Sequence, residues 1–129
     1  MKDRSEEEEV EVEEVENKTT DELLIEYTDF SKYEARSVIY LLSNARARQR
    51  DIEDQLKLSQ PVVSIAINGL KDRGLIETEK KKKEGKGRPE HIYSLKVDEL
   101  LDYVRDVKED IEDDLEKLEM IMERWKVIS

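Results

Sequence analysis

From residue 19 onward, the chain reads as stretches with apolar residues every three or four positions, broken by short polar or basic joints. After Thr19 and Thr20, the residues Leu23, Leu24 and Tyr27 share one helical face, which predicts a short helix with a threonine cap. Ser31-Lys32-Tyr33-Glu34 has the spacing of a capping box, and Ala35, Val38, Ile39 and Leu42 continue at helical spacing. A helix over residues 32–43 is therefore predicted. A basic connection follows, in which Arg46, Arg48 and Arg50 alternate. Residues 51–57 make a second, short helix with Ile52 and Leu56 facing inward, and Leu58-Ser59 forms the turn. Ser59 caps a third helix with Pro61 in its first turn, where a missing N–H costs little. Val63, Ala66, Ile67 and Leu70 fall on one continuous stripe of that helix, and Gly74 stops it. Lys71 and Arg73 complement its negative end.

A short helix, a tight turn and a longer amphipathic helix make a helix-turn-helix arrangement. Residues 75–79 and 91–95 both have strand character. The ten residues between Glu79 and Glu90 hold two glycines, one proline and six cations, the composition of a hairpin with a basic tip. Asp98 caps a last helix that runs to about residue 128. Along it Val104, Val107, Ile111, Leu115, Leu118, Met122 and Trp125 step by 3, 4, 4, 3, 4 and 3, a two-per-heptad seam with one irregular step. So narrow a stripe on a long acidic helix asks for a partner helix, and a homodimer through these seven side chains is the simplest solution.

The expected fold is mostly α with a small β-hairpin wing: a winged helix-turn-helix over residues 19–96, a coiled-coil-like dimerisation helix over 97–129, and an acidic tail over 1–18. The order of elements resembles the MarR/TrmB-like winged helix-turn-helix transcriptional regulators of archaea, over roughly residues 28–97. The resemblance is carried by Asp29-Phe30-Ser31-Lys32-Tyr33-Glu34-Ala35-Arg36, by Leu70 to Glu77, and by Gly87-Arg88-Pro89 leading into Ile92-Tyr93-Ser94-Leu95. It implies a DNA-binding regulator that dimerises through terminal helices. Two positions depart from the pattern: Ile65 and Gly69 stand where long polar or basic side chains are expected on an exposed recognition face. The sugar-binding effector domain of full-length TrmB-type proteins has no room in 129 residues, so sugar sensing is not carried over, and an effector is unknown.

Charge changes this picture only when it is divided. The formal net charge of −11 would argue against a nucleic-acid partner. Residues 1–30, however, carry 3 basic and 13 acidic side chains, residues 31–96 carry 15 and 9, and residues 97–129 carry 5 and 12. A basic middle thus lies between two acidic ends. The glutamate-rich stretch 5–16 has too few apolar residues to order itself and is expected to be a disordered tail, or one that competes with a polyanion for the basic segment. With no cysteine and a single histidine, His91, no metal site and no cofactor are expected. No apolar run approaches the ~20 residues of a membrane span. A cytoplasmic protein is the expectation.

If the stripe of the third helix faces inward, Gln60, Pro61, Ser64, Ile65 and Asn68 face outward near its N-terminus, the end that contacts base edges in a major groove. Together with Ser59 they are the candidate base contacts: Gln and Asn suit adenine, Ser suits several bases, and Ile65 suits a thymine methyl. Ser59, Gln60 and Asn68 also suit a purely local role as caps and solvated surface. Lys71, Lys80, Lys81, Lys82, Lys83 and Lys86 are candidate phosphate ligands, and Arg88, held by Gly87 and Pro89, has the character of a minor-groove arginine. Arg46, Arg48 and Arg50 are further phosphate candidates, or pair with Asp51 or Glu53. The expected function is a homodimeric, sequence-specific regulator of transcription on double-stranded DNA. A winged-helix protein–protein interaction module in a larger assembly is the alternative. Nothing resembles a nucleophile–base pair or a phosphate-binding glycine loop, so an enzyme is not expected.

Overall fold

The computed structural model describes residues 18–81 and 90–128. The acidic tail and the tip of the hairpin lie outside the described residues. The elements run α1 (Thr20–Tyr27), α2 (Lys32–Ser43), β1 (Ala47–Arg48), α3 (Gln49–Leu56), α4 (Gln60–Asp72), β2 (Ile76–Lys81), β3 (Glu90–Leu95) and α5 (Val97–Ile128). The chain divides into two compact units between Lys96 and Val97.

The expected capping box forms at Ser31, and Thr19 makes another with Glu22. Thr19 Oγ1 accepts from the Glu22 N–H while the Thr19 N–H donates to Glu22, and Ser31 and Glu34 exchange the same pair of bonds at 3.1 and 2.8 Å. α2 keeps its expected bounds but is rolled about its axis. Its buried side are Glu34, Ala35, Ser37, Val38 and Leu41, whereas Ile39 is half-buried and Leu42 is exposed. The roll follows Glu34, whose carboxylate is drawn inward to a cationic partner described below. On α1 only Leu24 of the expected face is partly covered, and Leu23 and Tyr27 remain exposed.

α3 begins at Gln49 rather than Asp51, because the Arg48 N–H donates to Asp51 Oδ2 at 3.0 Å and so makes Asp51 the third helical residue. It ends at Lys57, which adopts the left-handed conformation at φ 57° and turns the chain toward α4. Ser59 caps α4, its hydroxyl accepting from the Val62 N–H, and Val63, Ala66, Ile67 and Leu70 are all buried. Gly74 supplies the stop with φ 75°, a conformation that disfavours other residues.

The sheet has the order β1-β3-β2, with both pairings antiparallel. The two-residue β1 within the expected basic connection was not legible in the alternation; its Ala47 opposes Tyr93. In β2 and β3, Ile76 opposes Leu95 and Thr78 opposes Tyr93. Phe30, Val38, Leu41, Ile52, Ile67, Leu70, Leu75 and Tyr93 form the core that fixes α4 against α2, α3 and the sheet.

Candidate nucleic-acid interface

With its stripe buried, α4 presents Gln60, Pro61, Ile65 and Asn68 to solvent, and Ser64 is half-buried beside them. Ile65 is 72% exposed, which no core role explains. Ser59 spends its hydroxyl on the cap. Ser64 Oγ accepts from Gln60 Nε2 and from Gln49 Nε2, both at 3.0 Å. Gln49 Nε2 also lies 3.2 Å from Glu53 Oε2 and 3.4 Å from the Gln60 carbonyl, and Tyr93 Oη donates to Gln49 Oε1 at 3.4 Å. Gln49 thus joins α3, α4 and β3 beside the exposed face. Sequence reasoning missed it, because Gln49 and Ser64 are 15 residues apart and no spacing rule connects them. The one available hint was its polar amide at the start of a helix that faces the recognition helix.

The opposite end of α4 is anchored to α2. Arg73 Nη1 donates to Glu34 Oε2 at 3.1 Å and to the Gly69 carbonyl at 2.9 Å, while Nε and Nη2 reach the carboxylate and carbonyl of Asp29. Its guanidinium lies 5.0 Å from the Phe30 ring centre. Burial works against the Arg73 charge, but the bonds to Glu34 and Asp29 outweigh it and raise its pKa. The expected role of Arg73, complementing the helix end through space, is replaced by these direct bonds. The departure at residue 69 also has its reason here. A Cβ on Gly69 would fall 2.0 Å from Glu34 Oε2, so only glycine leaves room for the carboxylate that holds Arg73.

The expected phosphate ligands fall into three groups. Arg46 is ion-paired with Glu79. Arg48 meets Asp51 through two bonds, Nε to Oδ2 at 3.2 Å and Nη2 to Oδ1 at 3.0 Å, with Glu90 3.5 Å from Nη1. The bonds to Arg48 hold the Asp51 carboxyl below the usual range, and the Arg48 pKa is raised in turn. Both arginines line a cleft of about 250 Å³ with Ala47, Asp51, Lys81 and Ile92. Arg50, Lys80 and Lys81 are exposed, and Lys71 is exposed with its ammonium 5.7 Å from the centre of the Tyr93 ring. Lys82, Lys83, Lys86 and Arg88 lie outside the described residues.

α5 is 32 residues long, about 48 Å at 1.5 Å per residue. Val104, Ile111, Leu115, Leu118, Met122 and Trp125 are exposed along it and Val107 is half-buried, with Trp125 at 62%. Among the described residues, no group of three or more His, Asp or Glu side chains is placed to hold a metal ion, and no helix is long and apolar enough to cross a membrane.

Comparison with known proteins bears on the fold and the family. A search of the curated proteins finds no match by sequence. By structure, the chain is similar to a possible transcriptional regulator from Methanosarcina mazei Go1, with a TM-score of 0.58 and 14% identity over 69% of this chain and 76% of that one. It is similar also to TrmBL2, an archaeal chromatin protein described as showing a novel mode of DNA binding, with a TM-score of 0.54 and 20% identity. That match covers 81% of this chain but only 38% of TrmBL2. These likenesses show the winged-helix fold. The family model described as "Sugar-specific transcriptional regulator TrmB" matches residues 25–97, more than half of the sequence, and the chain belongs to that family of transcriptional regulators.

Proposed function

We propose that the protein is a sequence-specific regulator of transcription that binds double-stranded DNA as a homodimer. The observation that carries the reading is the exposed N-terminal face of α4: Gln60, Ser64, Ile65 and Asn68 stand clear of the core on a helix anchored at both ends. In a major groove, Gln60 and Asn68 are suited to adenine, Ser64 to a base edge and Ile65 to a thymine methyl. The DNA binding described for TrmBL2 supports the same reading for a chain of like fold.

Phosphate contacts are assigned to the cations of the same basic segment. Arg50, Lys71, Lys80 and Lys81 are exposed, and Lys82, Lys83, Lys86 and Arg88 extend the same charge along the sequence. Arg46 and Arg48 enter a phosphate contact from existing carboxylate pairs, so their contribution is the smaller. Arg88 is assigned to the minor groove. The exposed seam of α5 supports dimerisation, with a second copy of the helix covering Val104, Val107, Ile111, Leu115, Leu118, Met122 and Trp125. Two recognition helices then read half-sites about one DNA turn apart. Neither a metal nor a cofactor enters this mechanism.

Selection of bound fragments from a genomic DNA library tests the reading. Enrichment of a pseudo-palindromic sequence is expected, with Gln60→Ala changing the base preference and Arg88→Ala weakening all DNA alike. Recovery of a protein partner and no enriched DNA would overturn it in favour of an interaction module.

A further inference from the structure

The bonds around Gln49 have a direction that constrains what DNA can offer Ser64. A carboxylate accepts and does not donate, so Glu53 fixes the nitrogen end of the Gln49 amide toward itself. Tyr93, only 5% exposed, donates its hydroxyl to the oxygen end. Held at both ends, Gln49 directs its other N–H at Ser64 Oγ, which at 3.0 Å is nearer than the Gln60 carbonyl at 3.4 Å. Gln60 Nε2 gives that same oxygen a second hydrogen bond. A serine hydroxyl has two acceptor lone pairs and one hydrogen. With both lone pairs occupied, the O–H is what Ser64 has left for a ligand.

We propose that Gln49 is a positioning residue for sequence recognition: it makes Ser64 a dedicated hydrogen-bond donor, so the base facing Ser64 presents an acceptor. Guanine N7 and O6, adenine N7 and thymine O4 meet that demand in the major groove, and cytosine, which offers only its amino donor there, does not. Gln49 acts through Ser64 and is not itself assigned a base contact. The inference rests on the DNA-reading role of α4 proposed above.

The test is selection from a random duplex library with the full chain and with three variants. Ser64→Ala locates the base pair that Ser64 faces. The wild-type chain is expected to disfavour cytosine there. Gln49→Met keeps the side-chain length but gives no hydrogen, so Ser64 regains an acceptor site and discrimination at that position falls roughly three- to tenfold, with other positions unchanged. Gln49→Glu replaces the donor with an acceptor that turns the Ser64 O–H inward, and cytosine becomes tolerated or preferred there. A purely structural Gln49 would alter stability and leave base preference alone. The inference is overturned if either folded Gln49 variant retains the wild-type preference at the Ser64 position, or if the wild type prefers cytosine there. If the wild-type chain enriches no sequence at all, the DNA-reading role itself fails and takes this inference with it.

Discussion

Glu34 is nearly buried, and its two oxygens do two jobs: one accepts from the Ser31 N–H to cap α2, the other pairs with Arg73 at the end of α4. Gly69 is the space that this carboxylate occupies. On propensity alone, Gly69→Ala should stabilise α4 by about 0.5–1 kcal/mol. Here the added methyl displaces a side chain bonded at both ends, so a net loss of about 1–3 kcal/mol is expected in urea unfolding. A stabilised Gly69→Ala variant would show that Glu34 moves aside without loss. The substitution should also loosen the C-terminal end of α4, visible as faster amide exchange near Arg73.

At the scale of elements, α3 is set by one carboxylate. Asp51 accepts from the Arg48 backbone and from its guanidinium, and these bonds lower its pKa. A carboxyl depressed on folding contributes stability above its unfolded value, near ~3.9, and loses it as pH falls through the lower folded value. Asp51 is largely solvated, so Asp51→Asn should cost only about 0.5–1 kcal/mol at pH 7, and the difference should be smaller at pH 3 in urea titrations, vanishing only below the folded value. An unchanged difference at both pH values would mean that the charge has no part in the cap. Elements of this local kind were legible in the chain. α2 has its expected bounds because Ser31 and Glu34 are three residues apart, and the α4 stripe is buried as its spacing required. What was not legible depends on residues far apart in sequence. β1 exists only through Tyr93 and Ile92 on β3; the roll of α2 toward Leu41 follows Arg73; the node at Gln49 needs Ser64 and Tyr93. For the candidate site, the outward residues of α4 were foreseen from periodicity, whereas the partners that orient them were not.

For the molecule as a whole, the division of charge and the exposed seam of α5 bear on the same function. The basic middle, 15 cations against 9 acids, holds the helix-turn-helix and the wing, while the acidic ends are expected to limit indiscriminate attachment to polyanions. Leu118→Asp, in the middle of the exposed seam, should convert the proposed dimer to a monomer in sedimentation and weaken binding to a two-half-site operator by about a hundredfold or more, through loss of the second contact. A variant that sediments as the wild type would place the dimer contact elsewhere. Fluorescence anisotropy of the selected operator beside a scrambled duplex, titrated from 50 to 200 mM salt, shows whether this chain reads a DNA sequence from a basic platform. If it does, the operator binds at least about a thousandfold more tightly, and both affinities fall steeply as salt rises. Equal affinity for the two duplexes, or binding indifferent to salt, would contradict that reading.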